Sequence, residues 1–298
     1  MTILKKVQQP VENANGLPNE FYTDPAKYSE ETNRLLLGQW SGIAFAGDVP
    51  EVGDVYPIDF AGVPLVVVRD KEKNVRVYEN VCRHRGMTLV REAGKAKQGL
   101  RCPYHSWTYD LSGRLIATPL VGGPDANHHP CIDKSELGLL EAPTHVYLGV
   151  VYVNVSRDAG PFRELHSKLL DRWSEFDNQP LFFDRDVSQF TLDVACNWKL
   201  AVENYCEAYH LPWIHPDLNS YSRIEDHYNI VEADAYSGQG TTVFNPTRAE
   251  DGRLLDTFKD LSANWWNGQA EYIVLYPNVL AGVHRDHVFA MLLLPQGV

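Results

Sequence analysis

Two cysteine–histidine pairs constrain this chain more than any other feature: Cys82-Arg83-His84 and, after seventeen intervening residues, Cys102-Pro103-Tyr104-His105. Each pair offers one thiolate and one neutral imidazole. Two such pairs on adjacent loops suit a two-iron, two-sulfur cluster with both cysteines on one iron and both histidines on the other. Exchanging two thiolates for two imidazoles removes negative charge and raises the reduction potential above that of an all-cysteine cluster. A tetrahedral zinc site uses the same residue types. Classical fingers, however, separate Cys-x-x-Cys from His-x-x-x-His, whereas each half here mixes the two. Gly86 follows the first pair, where a tight turn needs a residue without a Cβ, and Trp107-Thr108-Tyr109-Asp110 follows the second.

Cys82-x-His84-Arg85-Gly86 together with Cys102-Pro-Tyr-His105-Ser-Trp107-x-Tyr109-Asp110 resembles the Rieske domain of the ring-hydroxylating oxygenases. Respiratory Rieske proteins brace the cluster with a disulfide, at positions that hold Met87 and Tyr104 here. They also place a serine donor to cluster sulfur where this chain has Trp107. The resemblance therefore implies few donors to sulfur and a comparatively low potential.

At 298 residues the chain is long enough for two cores. Its hydrophobic content of 44% and charged content of 22% are those of an ordinary globular protein. A net charge of −12 argues against nucleic acid or an anionic membrane as partner. The beginning of the chain is polar rather than signal-like, and the longest apolar run, Val146 to Val153, is too short to span a bilayer. Of five cysteines, Cys131, Cys196 and Cys206 fall outside the pairs, an odd remainder that suits a reducing cytoplasm. Against this acidic background, Arg83, Arg85, Arg91, Lys95, Lys97 and Arg101 face a single acid, Glu92. They read either as a solvated face or as a docking rim for an acidic electron donor.

The pattern along the chain predicts an α+β protein of two domains. Residues 1–38 read as an arm with a helix from Ser29 to Leu37, capped by Ser29. Residues 39–157 read as an all-β module with strands at Val63–Val68, Val75–Tyr78 and Val146–Val155. Residues 158–298 read as a mixed domain. It has an amphipathic helix over Phe162–Phe176, a strand over Phe190–Cys196 with Phe190, Leu192, Val194 and Cys196 inward, and a helix capped by Asn197 and running through His210. Further strands are expected at Ile273–Leu275 and Val288–Leu294.

A second metal motif lies on that helix. Trp198, Ala201, Val202, Tyr205 and Tyr209 form its apolar face, and Glu203, Glu207 and His210 an ionisable stripe. Pro212 is expected to break the helix so that His215 turns back towards His210. Two histidines and one carboxylate, with positions left for oxygen, make the facial triad of non-haem Fe(II) oxygenases. A solvated acidic face is the plain alternative. A di-iron bundle is a third, but it needs a second Glu-x-x-His, which the chain lacks.

The stretch Asn197-Trp-Lys…Glu203-Asn204-Tyr205…Glu207-x-x-His210-x-x-x-x-His215-Pro resembles the iron-binding segment of the same oxygenase family. That resemblance implies a helix-grip (START-like) catalytic domain with an antiparallel sheet, iron ligation by His210 and His215, and catalytic roles for Glu207 and Asn204. Glu207 matches the carboxylate that links an iron-ligand histidine to a neighbouring subunit's cluster histidine, here His105. Glutamate at this place is typical of relatives acting on quaternary ammonium compounds, whereas arene dioxygenases mostly carry aspartate.

The family's third iron ligand is a carboxylate beyond Val298, so the catalytic domain is expected to be incomplete at its C-terminus. Asp217, Asp226 and Asp286 read as ordinary turn or surface acids, and His284 and His287 as structural. The implied protein is the large (alpha) subunit of a Rieske non-haem iron oxygenase. It would carry a [2Fe–2S] cluster and mononuclear Fe(II), draw electrons from NAD(P)H through a separate reductase or ferredoxin, and assemble as a homotrimer or α3β3. It would hydroxylate an aromatic or quaternary-ammonium substrate with O2, or N-demethylate a betaine- or carnitine-like one. A Rieske electron carrier without oxygenase activity is the competing reading.

Overall fold

A computed structural model describes residues 4–10, 12–183, 185–232, 235–246, 248 and 251–298, so residues 1–3 and 11 of the expected arm lie outside the described residues. The first half consists of short strands: β1 (Ser41–Phe45), β2 (Asp54–Phe60), β3 (Val63–Arg69), β4 (Val75–Glu79), β5 (Gly94–Lys95), β6 (Leu100–Arg101), β7 (Thr108–Tyr109), β8 (Leu115–Ala117), β9 (Glu141–Ala142), β10 (Thr144–Tyr147) and β11 (Val150–Val153). They pair antiparallel into a five-stranded sheet, β5-β2-β3-β4-β9, and two three-stranded sheets, β1-β11-β10 and β6-β7-β8.

Strand β3 is buried on both faces, which explains its unbroken apolar run. Leu65 and Val67 pack with Leu36, Phe60 and Val77, while Val66 and Val68 pack on the other side with Tyr78, Leu100, Cys82 and Cys102. Burying each such side chain contributes about 1.5–3 kcal/mol. The cysteine loops therefore rest directly on the hydrophobic core.

The second half is a five-stranded antiparallel sheet in chain order: β12 (His227–Glu232), β13 (Tyr236–Thr241), β14 (Ala270–Leu275), β15 (Val279–Val283) and β16 (Val288–Leu292). Leu169, Trp173 and Phe176 cover one face at Ile273, Leu275 and Val279, and Tyr147, Val150 and Tyr152 of the first half join the same core. The halves are also stitched by the Asn278 side chain to the backbone of Gly42. Asn278 accepts from Gly42 N–H at 3.0 Å and donates to Gly42 O at 2.8 Å. A Cβ at Gly42 would stand 2.4 Å from Val279 Cγ2, so only glycine permits this approach.

Beneath this core Glu271 receives bonds from Arg172 (2.7 Å), Trp173 Nε1 (2.8 Å) and Tyr228 (2.7 Å). Burial pushes its carboxyl pKa up, but the bonds from Arg172, Tyr228 and Trp173 outweigh burial and hold it below the usual range.

Several local expectations are corrected. The arm's helix starts at Pro25, capped by Asp24, whose carboxylate accepts from Ala26 N–H at 2.8 Å. Proline at the first helical position and an acid before it outcompete Ser29. The run from Val146 to Val155 is a hairpin, because Leu148 and Gly149, both with positive φ, form the two-residue turn between β10 and β11. The helix expected over Phe162–Phe176 is interrupted at His166 and at Trp173.

Residues Phe190–Cys196 form no strand. Phe190, Leu192 and Val194 are 78%, 73% and 69% exposed, because no neighbouring strand pairs with this segment among the described residues. A period-two pattern becomes a strand only where a ladder partner exists.

Candidate active site

The two cysteine loops are built alike. Cys82 N–H donates to Met87 O at 2.8 Å and Cys82 O accepts from Gly86 N–H at 3.0 Å. Five-residue closure recurs in the second loop, where Cys102 N–H donates to Trp107 O at 2.8 Å and Cys102 O accepts from Ser106 N–H at 3.0 Å. Gly86 and Ser106 are equivalent, with φ of +71° and +60°. Both thiols are buried and unbridged, and both imidazoles are exposed, their ring centroids 4.7 Å apart.

Burial pushes the Cys102 thiol pKa up, even though the Tyr104 and His105 amides act in the opposite sense, and the adjacent Cys82 adds to the rise. Burial, then His105 and Arg85, pull the His84 imidazole pKa down. Two buried cysteines beside two imidazoles match the donor set of a mixed-ligand iron–sulfur cluster. The iron charge would favour the thiolate forms that burial alone disfavours.

Trp107 does not replace the expected serine as a donor. It is buried with its ring stacked on His84 at 4.6 Å and 10°, fixing the plane of that imidazole. The donor comes from elsewhere. Tyr109 Oη lies 3.3 Å from Cys82 Sγ and accepts from Arg83 N–H at 3.0 Å. With that N–H donating to its oxygen, the phenol proton is directed at the sulfur. The expected serine donor is absent, and Tyr109 supplies a single donor that the loop spacing alone did not signal.

The histidine segment is organised differently from the expected single helix. The helix begins as foreseen at Asn197, whose side chain accepts from Lys199 N–H at 3.1 Å, but it ends at Tyr205 instead of reaching His210. Glu207 stops it. Its Oε2 accepts the N–H groups of Tyr209 and, at 3.3 Å, His210, amides that a continuing helix would have paired with Tyr205 and Cys206 carbonyls. Pro212 is therefore not the breaker. It sits in the first turn of a new short helix, Leu211–Ile214, and His215 joins that helix to the next, Pro216–Tyr221.

This folding brings His210 and His215 together, ring centroids 5.3 Å apart and planes at 77°. Glu207 Oε1 lies 2.5 Å from His210 Nδ1. With the carboxylate oxygen accepting, Nδ1 carries the proton, and Nε2 would be free to ligate a metal. Asn204 is exposed in the last turn of the Trp198–Tyr205 helix, and Tyr209, assigned to the apolar face, is 74% exposed.

The candidate third carboxylates are engaged elsewhere or lie on the surface. Asp226 pairs with Arg223 at 3.1 Å, Asp286 with His287 at 2.7 Å, and Asp217 is exposed. Among the described residues no three metal-ligating side chains converge on one point. His284 and His287 sit in the turn between β15 and β16 with rings stacked at 4.2 Å. The cavity lined by Tyr147, Trp173, Ile273 and Ala290 belongs to the shared core and touches neither His210 nor His215.

The arm touches the histidine helix directly. Asn197 donates to Tyr22 O at 3.1 Å, Tyr22 donates to Glu203 at 2.5 Å, and Lys199 pairs with Glu31 at 2.6 Å. Burial, with Glu203 next, pushes the Tyr22 phenol pKa up to about 12.

A β-module closing two Cys–His loops, joined to a sheet carrying a paired-histidine segment, defines a protein with places for two iron centres. Residues 39–130 match the Rieske [2Fe-2S] domain and residues 185–298 the ring hydroxylating alpha subunit (catalytic domain). The chain thus carries a Rieske [2Fe-2S] domain followed by a ring-hydroxylating alpha-subunit catalytic domain. It is 27% identical over 217 residues to the carnitine monooxygenase oxygenase subunit of Acinetobacter pittii (strain PHEA-2), which covers 72% of this chain and 56% of that protein. It is 34% identical over 209 residues to the chlorobenzene dioxygenase subunit alpha of Cupriavidus sp. (strain PS12), covering 67% of this chain and 44% of that one. The chain thus spans about half the length of these relatives.

Among solved structures, a quaternary ammonium Rieske monooxygenase superposes with a TM-score of 0.74 at 21% identity, covering 95% of this chain and 72% of that one. Naphthalene 1,2-dioxygenase from Rhodococcus sp. superposes with a TM-score of 0.73 at 22% identity, covering 99% and 73%. Among the described residues no helix is long and apolar enough to cross a membrane.

Proposed function

We propose that this chain is the catalytic part of a Rieske oxygenase that hydroxylates a small quaternary-ammonium or aromatic molecule, with a [2Fe–2S] cluster held by Cys82, His84, Cys102 and His105 and a mononuclear iron by His210 and His215. The observation that carries the reading is the Glu207–His210–His215 geometry, in the same chain as two closed Cys–His loops. When bound, the cluster would pass electrons singly and the ferrous iron would activate O2.

The chain's own residues supply placement. Glu207 fixes the proton on His210 Nδ1, and Trp107 and Tyr109 hold His84 and Cys82. His84 and His105 stand at the surface, where an electron donor can reach them. Arg83, Arg85, Arg91, Lys97 and Arg101 are exposed around them and suit an acidic reductase or ferredoxin drawing on NAD(P)H. Lys95 is partly neutralised by Asp54 at 3.1 Å.

The reading includes a homotrimer or α3β3 assembly, in which Glu207 of one subunit approaches a neighbour's His105, and a cytoplasmic location. The ammonium class is favoured over arenes by glutamate at position 207 and by relatives named for carnitine and glycine betaine. Asn204, exposed beside this segment, is assigned to the approach to the iron.

The test is oxygen uptake by the iron-loaded protein with a reductase, NADH and either a betaine or an arene carboxylate. Substrate-dependent uptake with the betaine supports the reading, and uptake with the arene alone reassigns the substrate. Cluster reduction with no substrate-dependent uptake favours the second reading, an electron carrier, for which the observation is that no third carboxylate joins the imidazoles among the described residues.

A further inference from the structure

The break in the histidine segment leaves backbone carbonyls that a continuous helix would have paired, and the sheet supplies their partner. Gln239 on β13 is buried, and its Nε2 donates to Glu207 O at 2.8 Å and Tyr205 O at 3.2 Å. Two carbonyls can only accept, so the amide orientation is fixed with nitrogen towards them and Oε1 away. Oε1 then lies 2.8 Å from His227 Nδ1, which must carry the proton. In the neutral ring His227 Nε2 is left as an acceptor for Ser222 Oγ–H at 2.8 Å, and Ser222 O, at the longer 3.3 Å, is a neighbour it does not bond.

His227 and Gln239 lie on one face of the sheet. Asn229 pairs with Gln239 and His227 with Thr241, so the two side chains are diagonal neighbours across β12 and β13. Tyr272, paired with Gln239 across β14, packs edge-on against Tyr205 on that face. Ser222 closes the Pro216–Tyr221 helix that follows His215. The chain Tyr205/Glu207–Gln239–His227–Ser222 therefore grips the segment on both sides of His210 and His215.

We propose that Gln239 and His227 are positioning residues that set the separation of His210 and His215 for a metal, by holding the unwound 205–207 turn and Ser222 to the sheet. The proposal rests on the reading that these two imidazoles bind the mononuclear ion. It assigns His227 the Nδ1–H tautomer, the less common one for a free imidazole. Glutamate at 239 would keep the shape but present an acceptor to two carbonyls and so release the turn.

The test uses the full chain with its cluster, labelled with 15N-histidine, and Co(II) as the probe of the mononuclear site. The expected result is an Nδ1–H signal for His227 in the wild type. Gln239→Glu should weaken cobalt binding by on the order of tenfold, with the cluster's EPR spectrum unchanged. An Nε2–H tautomer at His227, or cobalt affinity unaltered in Gln239→Glu, overturns the proposal. If Gln239→Glu does not fold, the wild-type tautomer still decides it. Equal cobalt binding by wild type and His210→Ala would refute the metal-site reading, and the His227 tautomer would then decide the clamp by itself.

Discussion

In the cluster loops each cysteine is fixed by two backbone hydrogen bonds to residues four and five positions ahead, in both loops alike. In the segment from Cys206 to Ser222 short helical turns carry backbone bonds as well, but the turns are set against one another and against the sheet by side chains: Glu207 on His210, Gln239 on two carbonyls, and His227 on Ser222. Backbone closure is local and survives most substitutions. Side-chain closure is spread over three elements and fails when one residue changes. The two Cys–His loops are thus built for constancy, and the His210–His215 segment is more open to tuning by single substitutions.

The sharpest division between the regions comes from removing one ligand in each. Cys82→Ser is expected to abolish the cluster's EPR signal and visible absorption altogether, since a cluster missing one of four protein ligands is not retained. His210→Ala should leave both intact and remove only the mononuclear iron. Iron analysis alongside EPR distinguishes the two. Loss of the cluster in His210→Ala would mean that the sites are not independently built.

The next effect belongs to the side-chain region alone. Glu207→Ala frees His210 Nδ1 and the amides of Tyr209 and His210. Affinity for Fe(II) at the mononuclear site should fall by about 10–100-fold, read by competition with a chelator. Glu207→Gln, which can still accept from Nδ1–H through its amide oxygen, should recover a substantial part. Equal losses in the two variants would show that charge, rather than the hydrogen bond, holds the imidazole.

The same contrast decided what was legible in the sequence. Both Cys–His loops could be read because everything that closes them lies within six consecutive residues, including the turn at Gly86. The pairing of His210 with His215 was legible as an outcome but for the wrong cause, since periodicity carried the helix past Tyr205 and made Pro212 the breaker. The break is set by Glu207 accepting from amides ahead of it, a competition that hydrophobic spacing does not register. Gln239 and His227 gave no signal, being brought to the site only by the β12–β13 register. Phe190–Cys196 shows the converse: its pattern is that of a strand, and the segment remains exposed and unpaired among the described residues.

Within the backbone-closed region, Gly86 and Ser106 occupy the same place with different tolerance. Gly86→Ala forces a Cβ into a left-handed conformation and should destabilise the protein by about 1–2 kcal/mol. Ser106→Gly relieves similar strain but gives up the bond from Arg101 to Ser106 Oγ at 2.8 Å, so it should fall within about 0.5 kcal/mol of the wild type. Urea denaturation of the holo chain measures both. Equal losses would mean that the loops are less alike than their hydrogen bonds indicate.

The smallest effect concerns how the closed region is tuned at all. Tyr109 directs a proton at Cys82 Sγ, and its burial, with Cys82 next, pushes its phenol pKa well above the ordinary value, so it remains a donor across the working pH range. A donor to thiolate stabilises the reduced, more negative cluster more than the oxidised one. Tyr109→Phe should therefore lower the reduction potential by tens of mV, on the order of one hydrogen bond's differential contribution, and leave Fe(II) binding at His210 and His215 unchanged. Protein-film voltammetry reads the shift directly. A potential that does not move would leave Tyr109 as a support for the Arg83 amide alone, and would place the control of potential in Trp107 and the exposure of the two imidazoles.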